Sequence, residues 1–299
     1  MLPSGTGPSL LGCSLSTPKA EGFTLRIGLG RKSQFVPNPD SAFINPALHF
    51  ISPSTGERMR PMGKYTELQR EAYEANMQIP AQHLALYTWG NVSAFDKDAG
   101  VFAIKPSGVP YPELTADSMV IVDIDGNVVE GKLRPSSDTP THAVLYKEFA
   151  VTDGAKIGGI IHTHSTYAVS WAQAVKAVPL FGTTHADHIQ TEVPCTPYLS
   201  REAVQNDYEK ETGNLIVSHF RSLKLNPNEV NMVLVGGHGP FAWGATADKS
   251  VYNAAVLEEV SHMAMNTLQI NPAQKTLPDY IIEKHYTRKH GPNSYYGQK

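Results

Sequence analysis

Ile160-Ile161-His162-Thr163-His164 reads as a buried apolar strand that ends in two imidazoles two residues apart. Side chains alternate across a strand, so His162 and His164 are expected to project into one pocket while Thr163 points away. A second apolar run, Met232-Val233-Leu234-Val235, leads through Gly236-Gly237 to His238 and can bring a third imidazole to the same place. Three imidazoles that leave a coordination position open suit a catalytic divalent cation, whereas closed structural zinc sites draw four ligands from Cys and His. The plain alternative is a hydrogen-bonded pair of core histidines.

Working outward, strand-like segments alternate with helical ones. Tyr65, Leu68, Ala72 and Ala75 mark an amphipathic helix ending before Pro80. Val101–Ile104 and Met119–Asp123 read as strands, and Asp125-Gly126-Asn127 as a hairpin turn into Val128-Val129-Glu130. Asp138-Thr139-Pro140 opens a helix through Phe149, with Pro140 at the first helical position and a capping residue before it. Further helices are expected over 165–174, from a cap at Ser200, and over 248–268. Hairpins among the helices predict one mixed sheet covered by helices, an α/β fold, and not a strict βαβ repeat.

The chain has 299 residues, a formal charge of −3 and two cysteines, Cys13 and Cys195. That length can bury a sizeable core. The charge balance calls for neither nucleic acid nor an anionic membrane as partner. So few cysteines argue against a disulfide framework, and Cys195 reads as a small buried thiol before it reads as a nucleophile. No apolar run approaches the ~18 residues of a membrane span, so the expected location is cytoplasmic. Residues 1–61, rich in Pro, Gly and Ser, read as a leader that is disordered or outside the native fold, with translation starting at Met62 or a transit peptide as the alternatives.

Three segments look built to hold an oxyanion: Thr88-Trp89-Gly90-Asn91, Lys105-Pro106-Ser107-Gly108 and Ser136-Ser137-Asp138. The last stands at a helix start, where free backbone N–H groups favour phosphate. Lys105 adds charge, and Ser107-Gly108 lets backbone approach a ligand closely. Each has an ordinary reading as a turn or cap. Asp138 is a candidate oxygen ligand or proton acceptor, with helix capping as its dull alternative. Asp187, inside His185-Ala186-Asp187-His188, is a candidate acid/base or part of a rival metal site. For the basic and aromatic tail, His285 to His290 and Tyr295-Tyr296, a solvated tail is the default.

Together these motifs resemble the L-ribulose-5-phosphate 4-epimerases of the class II sugar-phosphate aldolase and epimerase superfamily. The resemblance rests on Thr88–Ala94, Ile104–Val109, Arg134–His142, Gly159–Ser165, Gly182–Asp187, His238–Gly244, Lys289-His290-Gly291 and Tyr295–Gln298, and spans residues 62–299 as one domain. It implies a three-layer α/β/α fold with a mixed, mostly antiparallel central sheet, and a homotetramer with active sites between subunits. The implied reaction interconverts L-ribulose 5-phosphate and D-xylulose 5-phosphate by cleaving and remaking the C3–C4 bond. Zinc, or another divalent cation such as manganese, would be held by His162, His164 and His238 with Asp138 as ligand or near neighbour. Gly90, Asn91, Lys105, Ser107, Gly108, Ser136, Ser137 and Arg288 become substrate contacts, mainly around the phosphate. Asp187 and Tyr296 become the acid/base pair, reaching the metal from a neighbouring subunit.

Gly236 departs from the family, which often has an extra histidine two residues before the ligand; that histidine is not carried over as a ligand, so no loss is implied. Sister aldolases acting on fuculose 1-phosphate are the nearest alternative. They carry Glu where this chain has Asp138 and lack the segment with Asp187. A non-catalytic relative would lose the histidines, which are kept here. Epimerases of arabinose and of ascorbate breakdown share these motifs.

Overall fold

The computed structural model describes residues 63–291 and 294–297; the expectation for residues 1–61 lies outside them. Seven strands form one sheet: β1 Asn91–Asp96, β2 Val101–Ile104, β3 Val120–Asp123, β4 Val128–Glu130, β5 Gly159–His162, β6 Met232–Val235 and β7 Gly239–Gly244. Their order is β4-β3-β2-β1-β5-β7-β6, and every strand pair is antiparallel. One isolated parallel bridge, Cys195 with Leu234, touches its edge.

Both faces are apolar, and the alternation of residues along each strand divides the core in two. Val92, Ala94, Ala103, Ile121, Ile161, Leu234 and Ala242 point to one side. There they meet Ala72 and Ile79 of α1 (Thr66–Ala81), Ala168 and Ala172 of α3 (Thr166–Gln173), and Val251 and Leu257 of α7 (Ala247–Ile270). Phe102, Ile104, Val122, Ile160, Val233, Phe241 and Trp243 point to the other side. They pack on Leu145 of α2 (Thr139–Leu145), Tyr146 and Phe149 of the π-helical turn that continues it (Tyr146–Thr152), and Ile216 and Phe220 of α6 (Tyr208–Leu223). Continuous apolar strands with this two-sided burial are what a sheet sandwiched between helices requires. The expected α/β/α layering is present.

Several local expectations shift. Helix α1 runs through Pro80 because the proline stands in the last turn, where Gln82 N–H still reaches Gln78 O and Leu84 N–H reaches Ile79 O. The helix expected from Ser200 is two: Ser200 caps α5 (Arg201–Asn206), and Asp207 ends it and caps α6 through Lys210 N–H. The helix through Phe149 widens into a π turn after Leu145, with Asp153 N–H bonded to Glu148 O. Two further α-helices, α4 (Thr183–Ala186) and α8 (Asp279–Lys289), and two 3-10 turns, Tyr111–Glu113 and Ala116–Ser118, complete the described elements. The tail expected to be solvated is therefore partly a helix. No helix among the described residues is long and apolar enough to cross a membrane.

Candidate active site

Antiparallel register brings the chemistry to one end of the sheet. Asn91, the first residue of β1, stands opposite His162, the last of β5, and His162 stands opposite Phe241 on β7. Ile104, the last residue of β2, pairs with Ser93 near the start of β1, so Lys105 and Ser107 leave the sheet at the same end. His238 sits in the β6–β7 turn, its N–H bonded to Val235 O at 2.9 Å. A cavity of about 400 Å³ is lined by Gly90, Asn91, Lys105, Ser107, Gly108, Ser136, Ser137, Asp138 and the three histidines, together with Tyr208 and Glu209.

The imidazole nitrogens of His162, His164 and His238 lie within 4.8 Å of one another, and among the described residues this is the group able to hold a metal ion. His162 Nε2 and His164 Nε2 are 3.1 Å apart. Nitrogens bound to one tetrahedral zinc, each at ~2.0–2.1 Å, stand ~3.3 Å apart, close to the separation of this pair. His162 Nδ1 is satisfied by Pro240 O at 2.9 Å, and the ring stacks on Phe241 with centroids 4.4 Å apart. That backbone bond makes Nδ1 the protonated nitrogen and leaves the Nε2 lone pair for the cavity.

Burial, and then the neighbouring imidazoles, push His238 down to about 3 and His164 below its ordinary value. Neutral imidazoles are the form a cation takes. The donor set therefore fits zinc or another divalent ion. The strand ends at His162, yet His164 still turns into the same pocket, as its spacing predicts.

Asp138 occupies the capping position of α2 but its side chain makes no capping bond. Instead Oδ2 accepts from Asn91 Nδ2 at 2.6 Å. Burial alone would raise this carboxyl; the surrounding imidazoles and the Asn91 bond outweigh it and hold it below the usual carboxylate range. An ionised carboxylate beside three imidazoles is a ready oxygen donor.

The anion segments are tied together by backbone. Ser107 N–H bonds Arg134 O at 2.9 Å and Ser136 N–H bonds Lys105 O at 3.0 Å. Ser136 Oγ accepts from Asp138 N–H at 3.3 Å, which keeps its hydroxyl proton free to donate. Lys105 is buried, with Nζ bonded to Thr88 O at 3.2 Å and lying 5.1 Å from the Tyr111 ring centroid.

Gly90 is needed on two counts: φ is +76°, and a Cβ there would meet His162 O at 2.9 Å. Gly90→Ala should lower stability by ~1–3 kcal/mol and push β1 away from the first histidine. Urea denaturation and metal content of the variant check this. At Gly236, a Cβ would meet Thr196 O at 2.6 Å. The backbone here has no room for a side chain.

Asp187, Arg288 and Tyr296 are not among the residues lining this cavity. They meet in a second cluster. Asp187 follows α4 and accepts from Arg288 Nε at 3.0 Å and Nη2 at 2.7 Å, from His285 Nδ1 at 3.0 Å, and from Lys289 Nζ at 3.1 Å. Burial would raise its carboxyl, but these donors bring it down to about 2. Arg288 Cζ lies 5.0 Å from the ring centroid of Tyr296, an exposed residue. Within one chain Arg288 pairs with Asp187 and does not line the cavity.

Nor do the described residues form a rival metal site around Asp187, since His188 is engaged by Thr184 O at 2.8 Å and Tyr252 OH at 2.9 Å and His185 is buried. Cys195 is half-buried, and burial pushes its thiol up to about 11, so it stays protonated at neutral pH. Tyr208 and Glu209 had no sequence signal beyond an ordinary helix start. Tyr208 OH stands 3.4 Å from His238 Nδ1.

The family model described as Class II Aldolase and Adducin N-terminal domain matches residues 70–265. The chain belongs to the class II aldolase family. Within it, L-ribulose-5-phosphate 4-epimerase UlaF of Salmonella paratyphi B is 49% identical over 233 residues, 78% of this chain and 99% of that one. The protein of the same name from Salmonella typhi is 48% identical over the same span. Among solved structures, an L-fuculose 1-phosphate aldolase matches with TM-score 0.63 and 24% identity, over 74% of this chain and 95% of its own. An L-fuculose-1-phosphate aldolase from Thermus thermophilus gives TM-score 0.52 at 21% identity, over 70% of this chain and 98% of its own. At such identities the aldolase structures speak for the class II aldolase fold alone. The resemblance read from the motifs is borne out.

Proposed function

We propose that the chain is an L-ribulose-5-phosphate 4-epimerase, converting L-ribulose 5-phosphate to D-xylulose 5-phosphate and back. The observation that carries this is the single cavity with three clustered imidazoles beside Asp138 and a serine- and lysine-lined cradle next to them. Kinship with the epimerases supports the choice of substrate.

His162, His164 and His238 would hold the cation, zinc first among candidates, with Asp138 as a further ligand or neighbour. Bound there, a divalent cation supplies Lewis acidity to negative charge developing on the substrate. C4 carries no acidic hydrogen, so inversion there is easier by breaking C3–C4 than by deprotonation. Removal of the O4 proton lets the C3–C4 electron pair move toward C2, leaving an enediolate and glycolaldehyde phosphate. The cradle of Ser107, Ser136, Ser137 and Lys105 keeps the phosphate in place while the aldehyde turns. Re-addition to its other face returns a proton to O4 and completes the inversion.

Two faces of C4 need two proton-handling groups, and Asp187 and Tyr296 fill those roles from a neighbouring subunit of a cytoplasmic homotetramer. Their clustering with Arg288 and the exposure of Tyr296 support that placement. As an ionised group Asp187 is the proton acceptor for O4, and Tyr296 the donor.

Burial brings the Lys105 ammonium down to about 8. Its charged form attracts the phosphate and is lost as pH rises through that value, so KM should climb as the pH passes from neutral to alkaline. In Lys105→Met, KM should be higher throughout and that limb absent.

To separate epimerase from aldolase, L-ribulose 5-phosphate labelled with 13C at C4 should be followed by NMR beside L-fuculose 1-phosphate. Label appearing in D-xylulose 5-phosphate, with no lactaldehyde from the second sugar, is expected. Lactaldehyde and dihydroxyacetone phosphate as the only products would replace the epimerase reading with the aldolase one.

A further inference from the structure

The three anion segments are not all held together in the same way. Backbone bonds join the second to the third, but Thr88, Trp89 and Gly90 precede β1 and are tied to the second segment by two buried side chains. Lys105 Nζ donates to Thr88 O at 3.2 Å. Tyr111 OH donates to Trp89 O at 2.7 Å and reaches Gly90 O at 3.2 Å. Tyr111 opens the 3-10 turn Tyr111–Glu113, which follows the second segment, and it is not among the residues lining the cavity. The stretch that leaves the sheet with Lys105 thus comes back under the first segment with a tyrosine.

The Tyr111 ring belongs to the core on the α1 side, and a buried tyrosine needs a partner for its hydroxyl. Both partners here are carbonyls of the cradle. Burial pushes the phenol above its ordinary value, so the hydroxyl keeps its proton and stays a donor. The Trp89–Gly90 peptide is trans, so its N–H points opposite to the carbonyl that Tyr111 holds. Gly90 N–H has no backbone acceptor among the described residues, and Gly90 lines the cavity. Turning the carbonyl toward Tyr111 takes a negative dipole end out of the cradle and leaves a donor for a phosphate oxygen. The ring centroid also lies 5.1 Å from Lys105 Nζ, within the ~6 Å over which an aromatic face attracts an ammonium. That ammonium gives one proton to Thr88 O and keeps two for an anion.

We propose that Tyr111 is a positioning residue for phosphate binding: its hydroxyl fixes the Thr88–Gly90 segment against the one bearing Lys105, and its ring flanks the Lys105 ammonium. It acts through Gly90 and Lys105 without lining the cavity itself. The role rests on the phosphate cradle of the proposed function, yet phosphate affinity can be read without the reaction.

Two variants separate the hydroxyl from the ring in the metal-loaded full chain. Tyr111→Phe removes only the hydroxyl, and Tyr111→Leu removes the aromatic face as well. Tyr111→Phe should raise KM for L-ribulose 5-phosphate by ~3–10-fold, the range of one such hydrogen bond, while kcat and zinc content change by less. A mere loss of folded protein would lower apparent kcat and the urea midpoint and leave KM alone. Tyr111→Leu should raise KM further, and the Kd for inorganic phosphate, measured by calorimetry, should follow the same order. Wild-type phosphate affinity in Tyr111→Phe, with Lys105→Met weakened, would overturn the role and leave the cradle standing. Equal affinity in wild type, Tyr111→Phe and Lys105→Met would remove the cradle reading and the role with it. If neither Tyr111 variant folds, hydrogen exchange of the wild type across residues 88–91, followed by mass spectrometry, decides: slowing on phosphate addition supports the inference, and no slowing at saturating phosphate contradicts it. A wild type inactive on L-ribulose 5-phosphate that still binds phosphate more tightly than Tyr111→Phe would support the role while counting against the epimerase reading.

Discussion

His164→Asn should reduce kcat for epimerisation by at least ~10³-fold, because charge stabilisation by a bound cation contributes several kcal/mol and each ~1.4 kcal/mol is a factor of ten. His164 is the histidine to choose. It lies beyond the end of β5, whereas His162 is stacked on Phe241 and tied to Pro240, so the loss of His162 would also disturb the core. Metal content by elemental analysis should drop together with activity while the urea midpoint of the metal-free protein stays put. Full activity with no metal in the variant would remove the triad from the chemistry.

The second large effect concerns groups that a single chain keeps apart from the triad. Asp187→Asn and Tyr296→Phe should each cost ~10²–10⁴-fold in kcat, the usual range for a general acid or base, with zinc content unchanged. On the proposed placement of both residues in a neighbouring subunit's site, co-expressing His164→Asn and Asp187→Asn chains should restore activity well above either parent. On that placement, mixed oligomers would contain some interfaces with an intact triad on one side and an intact Asp187 cluster on the other. No restoration in mixed oligomers isolated by two affinity tags would confine the site to one chain. Asp187→Asn also leaves Arg288, Lys289 and His285 without their shared carboxylate, so a lower urea midpoint is expected for that variant only.

Much of this site was legible because strand periodicity carries geometric information. The H-x-H spacing put His162 and His164 together, and a Gly-rich strand end brought His238 to them. Three loops with ordinary turn chemistry became one cradle because antiparallel pairing returns successive strands to the same edge. Asp138 could not be assigned from its neighbours, since a helix start offers a cap and a ligand the same residue type; in the structure its side chain makes no capping bond and turns to Asn91 instead.

Other features were hidden for physical reasons. Tyr208 and Glu209 reach the cavity through the placement of α6, a long-range packing outcome that no local pattern encodes. Tyr111 follows a recognisable turn motif, but the carbonyls that its hydroxyl reaches are 22 and 21 positions back in the chain. The proline in α1 misled because a missing donor matters little in a last turn. The basic tail looked solvated on composition, yet its charges are drawn back by one buried carboxylate.

The most direct test of the account is a coupled assay for D-xylulose 5-phosphate formed from L-ribulose 5-phosphate. It should be run on protein as isolated, after chelator stripping, and after return of zinc or manganese. The account predicts product from the first sample, none from the second, and recovery in the third in proportion to metal bound per chain. Product formed at the same rate by the stripped protein, or none in any sample, would contradict it.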